Sequence, residues 1–98
     1  MSKTYVCNGT GILYDVGEKE TLATIAYRIY RNPATEQRGE EWWGGFALGA
    51  PLAELEEYRL ELEDGRRGNC AVSLRSVSRL SESLVFYHYD IMGTGALG

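Results

Sequence analysis

The sequence predicts an all-β domain, a small partly open barrel or sandwich of about six antiparallel strands with at most one short helix. Three observations carry that expectation. Apolar and polar residues alternate with a period of two over several segments. The 12 Gly and 7 Tyr among 98 residues favour strands and tight turns over helices. Glu63-Asp64-Gly65 joins two alternating runs in the manner of a β-hairpin.

Residues 4–16 read as a first strand, with a break or bulge at Gly9-Thr10-Gly11 and a polar turn around Gly17 after it. Residues 21–31 fit two patterns. Leu22, Ile25, Ala26, Ile29 and Tyr30 make a helical stripe, whereas Ala23, Ile25, Tyr27 and Ile29 alternate as a strand. The β-branched and aromatic content favours the strand. Asn32-Pro33 ends that element, and residues 34–39 form a polar connection. Residues 40–49 read as the next strand, with Trp42, Phe46 and Leu48 on one face and Trp43, Gly45 and Ala47 on the other. Gly44-Gly45 leaves room for another backbone or a bulky ring. Pro51 can open one helical or 3₁₀ turn.

Parity selects the hairpin loop. A two-residue turn at Asp64-Gly65 sets Leu60 against Asn69, apolar against polar. A three-residue loop, Glu63-Asp64-Gly65, sets Leu60 against Gly68 and Tyr58 against Cys70, with Gly65 left-handed. The second arrangement is expected. Residues 76–83 are either a continuation of that strand or a surface loop. Residues 84–91 form the last strand, with Leu84, Phe86 and His88 on one face and Val85, Tyr87, Tyr89 and Ile91 on the other. Residues 1–92 are expected to be a single domain and 93–98 a flexible tail.

Gly-Thr-Gly-Ile-Leu at 9–13, Tyr-Arg-Ile-Tyr at 27–30, Trp-Gly at 43–44 and Leu-Glu-Leu-Glu-Asp-Gly-Arg-Arg at 60–67 together resemble small bacterial proteins of uncharacterised function. The resemblance implies a compact all-β domain and lends no catalytic residue.

Composition sets bounds on function. A formal charge of −4 with mixed signs lacks the basic stripe of a phosphate-backbone binder, so nucleic acid is disfavoured, Arg66-Arg67 and Arg75 with Arg79 notwithstanding. The opening Met1-Ser2-Lys3-Thr4 does not start an apolar leader, and no apolar run is long enough to span a membrane. A cytoplasmic protein with Cys7 and Cys70 as free thiols is expected. Gly9-Thr10-Gly11 precedes a strand-like segment, which is the wrong context for a phosphate cradle. His88 and Asp90 share a strand face but supply only two of the three or four ligands that a metal wants. Cys70 lies on the apolar parity of its strand, where a thiol is inert packing rather than a nucleophile. No enzyme chemistry, metal or cofactor is expected.

Apolarity on both faces of strands is the remaining signal. Trp43, Tyr87 and Tyr89 have the opposite parity to Phe46, Leu48, Leu84 and Phe86, so if the latter line the core the former face outward. That predicts a binding or assembly domain whose partner is a protein or a second copy, with those three aromatics as anchors. The alternative is a barrel that stacks a small molecule or oligosaccharide on the same rings.

Overall fold

The computed structural model describes residues 3–98. Six strands follow in chain order: β1 (Tyr5–Asp15), β2 (Thr21–Asn32), β3 (Glu41–Leu48), β4 (Tyr58–Glu61), β5 (Arg67–Arg79) and β6 (Val85–Gly93). All pairs are antiparallel and run round the ring β1-β2-β3-β6-β5-β4. β4 closes it against β1 through four pairs, from Ile12 opposite Glu61 to Asp15 opposite Tyr58. No helix occurs among the described residues, and Pro51 sits in the irregular connection 49–57 rather than at a helical turn. The all-β expectation holds. Met1 and Ser2, counted in the domain and in the argument against a leader, lie outside the described residues.

Residues 21–31 are strand because of what the alternation buries. Ile25, Tyr27 and Ile29 point into the barrel, while Thr24, Ala26 and Arg28 are exposed. Gly9 lies opposite Tyr27 and Gly11 opposite Ile25. A Cβ on Gly9 would stand 2.6 Å from the Tyr27 hydroxyl oxygen, and one on Gly11 would stand 3.0 Å from the ring and inside contact of the Glu61 carbonyl. The two glycines are therefore a seat for the Tyr27 ring, whose hydroxyl accepts the Glu63 N–H at 3.0 Å. The expected break at Gly9-Thr10-Gly11 does not occur. β1 pairs through it, and the register shifts at Leu13/Tyr14 instead.

The hairpin takes the three-residue form. Tyr58 faces Cys70 and Leu60 faces Gly68. Leu62 donates to Arg66 at 2.8 Å, Gly65 donates back to Leu62 at 3.0 Å, and Gly65 has φ +91°. That dihedral is the left-handed conformation Gly tolerates. β5 then continues to Arg79 and turns at 80–84, closed by the Leu80 N–H to the Leu84 carbonyl at 2.9 Å.

Both barrel ends are stoppered by loops. At one, the 49–57 connection folds inward: Leu52 donates its N–H to the Tyr89 hydroxyl at 2.7 Å, and Tyr58 donates to the Ala53 carbonyl at 2.6 Å. At the other sits the indole of Trp42, fully enclosed, against Leu97. Here the expectation of a flexible 93–98 tail is corrected. Arg67 and Gly98 exchange backbone hydrogen bonds at 2.7 and 2.9 Å, Trp42 Nε1 donates to the Gly95 carbonyl at 2.7 Å, and Leu97 is buried. Leu97 also donates its N–H to Glu40 Oε2 at 2.9 Å, and Arg31 holds Oε1 at 3.0 Å. A run of glycines around one Leu reads as a tail; its anchors, Trp42, Glu40 and Arg67, are distant in sequence.

Two expectations follow. A Cβ on Gly93 would fall within the Trp42 indole, so Gly93→Ala overpacks this end and costs ~3 kcal/mol in denaturant unfolding. A cost near zero would mean that the ring can move aside. Burial alone would raise the Glu40 carboxyl, but the Leu97 N–H and the Arg31 guanidinium outweigh it and hold the group below its ordinary 4.5. A depressed acid stabilises the fold above its unfolded value and loses that contribution as pH falls through the folded one. Glu40→Gln therefore lowers stability by about 1–2 kcal/mol at neutral pH. The difference from wild type shrinks as pH falls below 4.5. A pH-independent difference would refute the charged clamp.

Candidate interaction surface

The three aromatics expected outside divide. Trp43 is on the outer wall, half-buried, its ring stacked on Tyr30 with centroids 5.8 Å apart and planes 15° from parallel. Tyr89 is inside, 7% exposed, stacked on Phe46 at 5.3 Å. Tyr87 is inside too, packed against the core beside Leu48. Their placement outside is corrected, and so is that of Leu84 and Phe86 in the core: Leu84 is exposed beyond the barrel and Phe86 takes the outer face. The register of β6 on β3 is the reason. Tyr87 lies opposite Leu48, Tyr89 opposite Phe46 and Ile91 opposite Gly44, so these share the inner face. A strand apolar on both faces does not reveal which face turns inward; its neighbour decides.

The outer wall carries a continuous apolar row. Val6 pairs with Tyr30, Tyr30 with Trp43, Trp43 with Met92, and Met92 with Ala71. Directly paired residues share a face, so five side chains from β1, β2, β3, β6 and β5 line up side by side, about 19 Å measured around the curved wall at the usual strand spacing. Val6 is 55% and Met92 66% exposed. Tyr30 and Met92 lie outside the expected site set. Their own strands show them as large outer-face residues, but their union with Trp43 needs the strand order.

The adjacent row is polar. It runs Asn8, Arg28, Gly45, Asp90 and Ser73 across the same strands. Arg28 donates from Nε to Asn8 at 3.0 Å, and Arg75 donates from Nη2 to Asp90 at 2.6 Å. Gly44 and Gly45 play different parts. A Cβ on Gly44 would collide with the Arg28 carbonyl, so this glycine permits the close approach of β2. Gly45 opens outward and leaves a depression of about 340 Å³ beside Trp43, rimmed by Arg28, Arg75, Asp90 and His88. An apolar centre bordered by hydrogen-bonding groups is the usual anatomy of a protein interface.

Other candidate groups are engaged within the fold. His88 Nε2 meets the Ser78 hydroxyl at 2.9 Å, and Asp90, on the same face, turns to Arg75. Among the described residues no three His, Cys, Asp or Glu gather as metal ligands. Arg66 pairs with Asp64, and Arg67 bridges Glu18 and Glu61. The Glu61 carboxyl is held below its ordinary range, first by the Tyr14 hydroxyl that donates to it and then by Arg67. The Tyr14 phenol is raised by the same bond.

Cys7 and Cys70 are both free thiols. Cys70 faces the core opposite Tyr58, and burial, aided by the nearby Glu57 charge, pushes it up to about 12. Cys7 is only half-buried. A thiol reagent at mildly alkaline pH should label Cys7 at least about a hundredfold faster than Cys70, whose thiolate is scarce and enclosed. Denaturation should equalise them. Equal rates on the native protein would show that the barrel opens readily.

No protein-family model, no curated protein and no solved structure matches this chain.

Proposed function

We propose that this domain is a non-catalytic protein-binding module whose contact surface is the outer row Val6–Tyr30–Trp43–Met92–Ala71. The observation that carries it is the row itself: five apolar side chains, side by side across five strands on a solvent-facing wall. The opposite face of those strands already fills the core, with Ile29, Trp42 and Ile91 enclosed, so the core is complete without the outer row, which is left for a partner. Trp43 is the anchor. Its ring is already oriented by Tyr30, which lowers the ordering cost on binding. Large aromatics at the centre of a patch are the common hot spots.

A second reading has its own support. The depression over Gly45 places the Trp43 ring next to Arg28, Asp90 and His88, an aromatic group beside hydrogen-bonding groups, as a sugar ring would use. Both readings keep the chemistry to recognition.

The test places a photo-crosslinking amino acid at Met92 in cells that naturally make the protein. A discrete protein adduct is expected, and Trp43→Ala should reduce it at least about tenfold, as loss of a hot spot does. The variant should stay folded, with at most about 1 kcal/mol lost from the Tyr30 stack. No adduct, or one indifferent to Trp43→Ala, overturns the protein-partner reading. Tryptophan emission that shifts with an oligosaccharide in wild type but not in Trp43→Ala would move the conclusion to the sugar reading.

A further inference from the structure

β4 is four residues long and β5 thirteen. β4 covers β5 only from Arg67 to Cys70. From Ala71 to Arg79 β5 has β6 on one side, and among the described residues no backbone hydrogen bond reaches it from the other. A nine-residue edge of unpaired N–H and C=O groups is a template for another strand. The apolar surface gathers there as well. Leu74, Val77, Leu80 and Leu84 are 53%, 50%, 67% and 45% exposed, four neighbours on one projecting hairpin.

We propose that this edge pairs antiparallel with the same edge of a second copy, about a two-fold axis between Arg75 and Ser76. This surface meets the outer row only at Ala71 and does not depend on it.

The register carries the choice of occupant. Val72, Leu74, Val77 and Arg79 lie opposite Ile91, Tyr89, Tyr87 and Val85, and so continue the inner face. Ser73, Ser76 and Ser78 lie opposite Asp90, His88 and Phe86 on the outer face. The irregularity between Leu74 and Ser76 switches the parity of the strand midway. A strand that pairs antiparallel with itself sets each residue against its mirror position. With the axis at Arg75/Ser76, Leu74 meets the second copy's Val77, Val72 meets Arg79, and Ser73 meets Ser78. Inner residues meet inner and outer meet outer along the whole length. A register one residue off, with the axis on Arg75 or on Ser76 themselves, would set Leu74 against Ser76 or Ser78 and lose the match.

Charge permits the approach. Arg75, the side chain nearest the axis, is neutralised in its own chain by Asp90, with Nε at 2.9 Å and Nη2 at 2.6 Å from one carboxylate oxygen. Arg79 lands with its aliphatic stem over Val72 of the second copy. Pairing consumes both edges, so the assembly closes at two copies instead of extending into a fibre. One strand pair with a few apolar contacts is a small interface, so the dimer is weak and concentration-dependent.

Sedimentation equilibrium of the full chain from about 10 µM to about 1 mM, the regime of small interfaces, should show monomer passing to dimer. Leu74→Glu and Val77→Lys, both at exposed positions, should each weaken it at least about tenfold, a loss of ~1.4 kcal/mol. An equimolar mixture of the two variants should dimerise again, because the carboxylate introduced in one copy then faces the ammonium introduced in the other. Far-UV circular dichroism checks that each variant is folded. A monomer throughout the range overturns the proposal and leaves the edge to a foreign strand or to solvent. So does a dimer that survives Leu74→Glu, or a mixture that stays monomeric. A dimer lost on Trp43→Ala but kept in Leu74→Glu would place self-association on the outer row instead.

Discussion

The seating of one indole holds this fold closed. Trp42 lies where β3, β5, β6 and the last residues converge. A side chain on Gly93 would occupy its ring, and one on Gly68 would stand 2.8 Å from it. The ring is too large for a barrel end whose walls all carry Cβ atoms, so two strands give theirs up. In exchange the indole fills the end and satisfies its N–H on the Gly95 carbonyl. That bond holds the last turn of chain in place, Leu97 covers the ring's surroundings, and Gly98 adds a backbone pair to the start of β5. Packing at this end and order in the terminus are one event.

The same exchange of glycine for aromatic recurs at Tyr27 over Gly9 and Gly11. Small barrels have little interior, and a bare backbone opposite a ring makes room for it. Four of the 12 glycines, Gly9, Gly11, Gly68 and Gly93, seat the Tyr27 and Trp42 rings in this way. Gly45 is different: it faces solvent, next to Trp43, and its missing side chain shapes the outside of the barrel. Inner and outer glycines stand next to each other in sequence at 44 and 45 and serve opposite sides of the wall.

Uneven strand lengths connect fold to proposed function. A barrel of equal strands has no edges. Here β4 ends after four residues while β5 runs on, so closure is complete at the Trp42 end and abandoned towards the projecting β5–β6 hairpin. The wall carries an apolar row for the proposed contact, and the projecting β5–β6 hairpin offers backbone. Each answers a different physical deficit: side chains without cover in the first case, hydrogen-bonding groups without partners in the second.

The all-β class, most of the strands and the form of the hairpin are legible in the chain before it is folded. These follow from local rules: period-two alternation, β-branched content at 21–31, and the parity that admits only a three-residue loop ending at Gly65. Trp43 was also legible as an outer residue, since Trp42 and Phe46 on the other parity are plainly core. Everything that depends on a neighbour distant in sequence was fixed by the assembled barrel. Tyr87 and Tyr89 turned inward because β6 pairs with β3 in a register that no property of 84–91 encodes. Tyr30 and Met92 joined Trp43 through the ring order. The 93–98 segment was ordered by Arg67 and, from still farther along the chain, by Trp42 and Glu40, 53 and 57 residues from the groups they bind. A strand with two apolar faces carries no local information about which one is inside; the hydrogen-bonded neighbour supplies it.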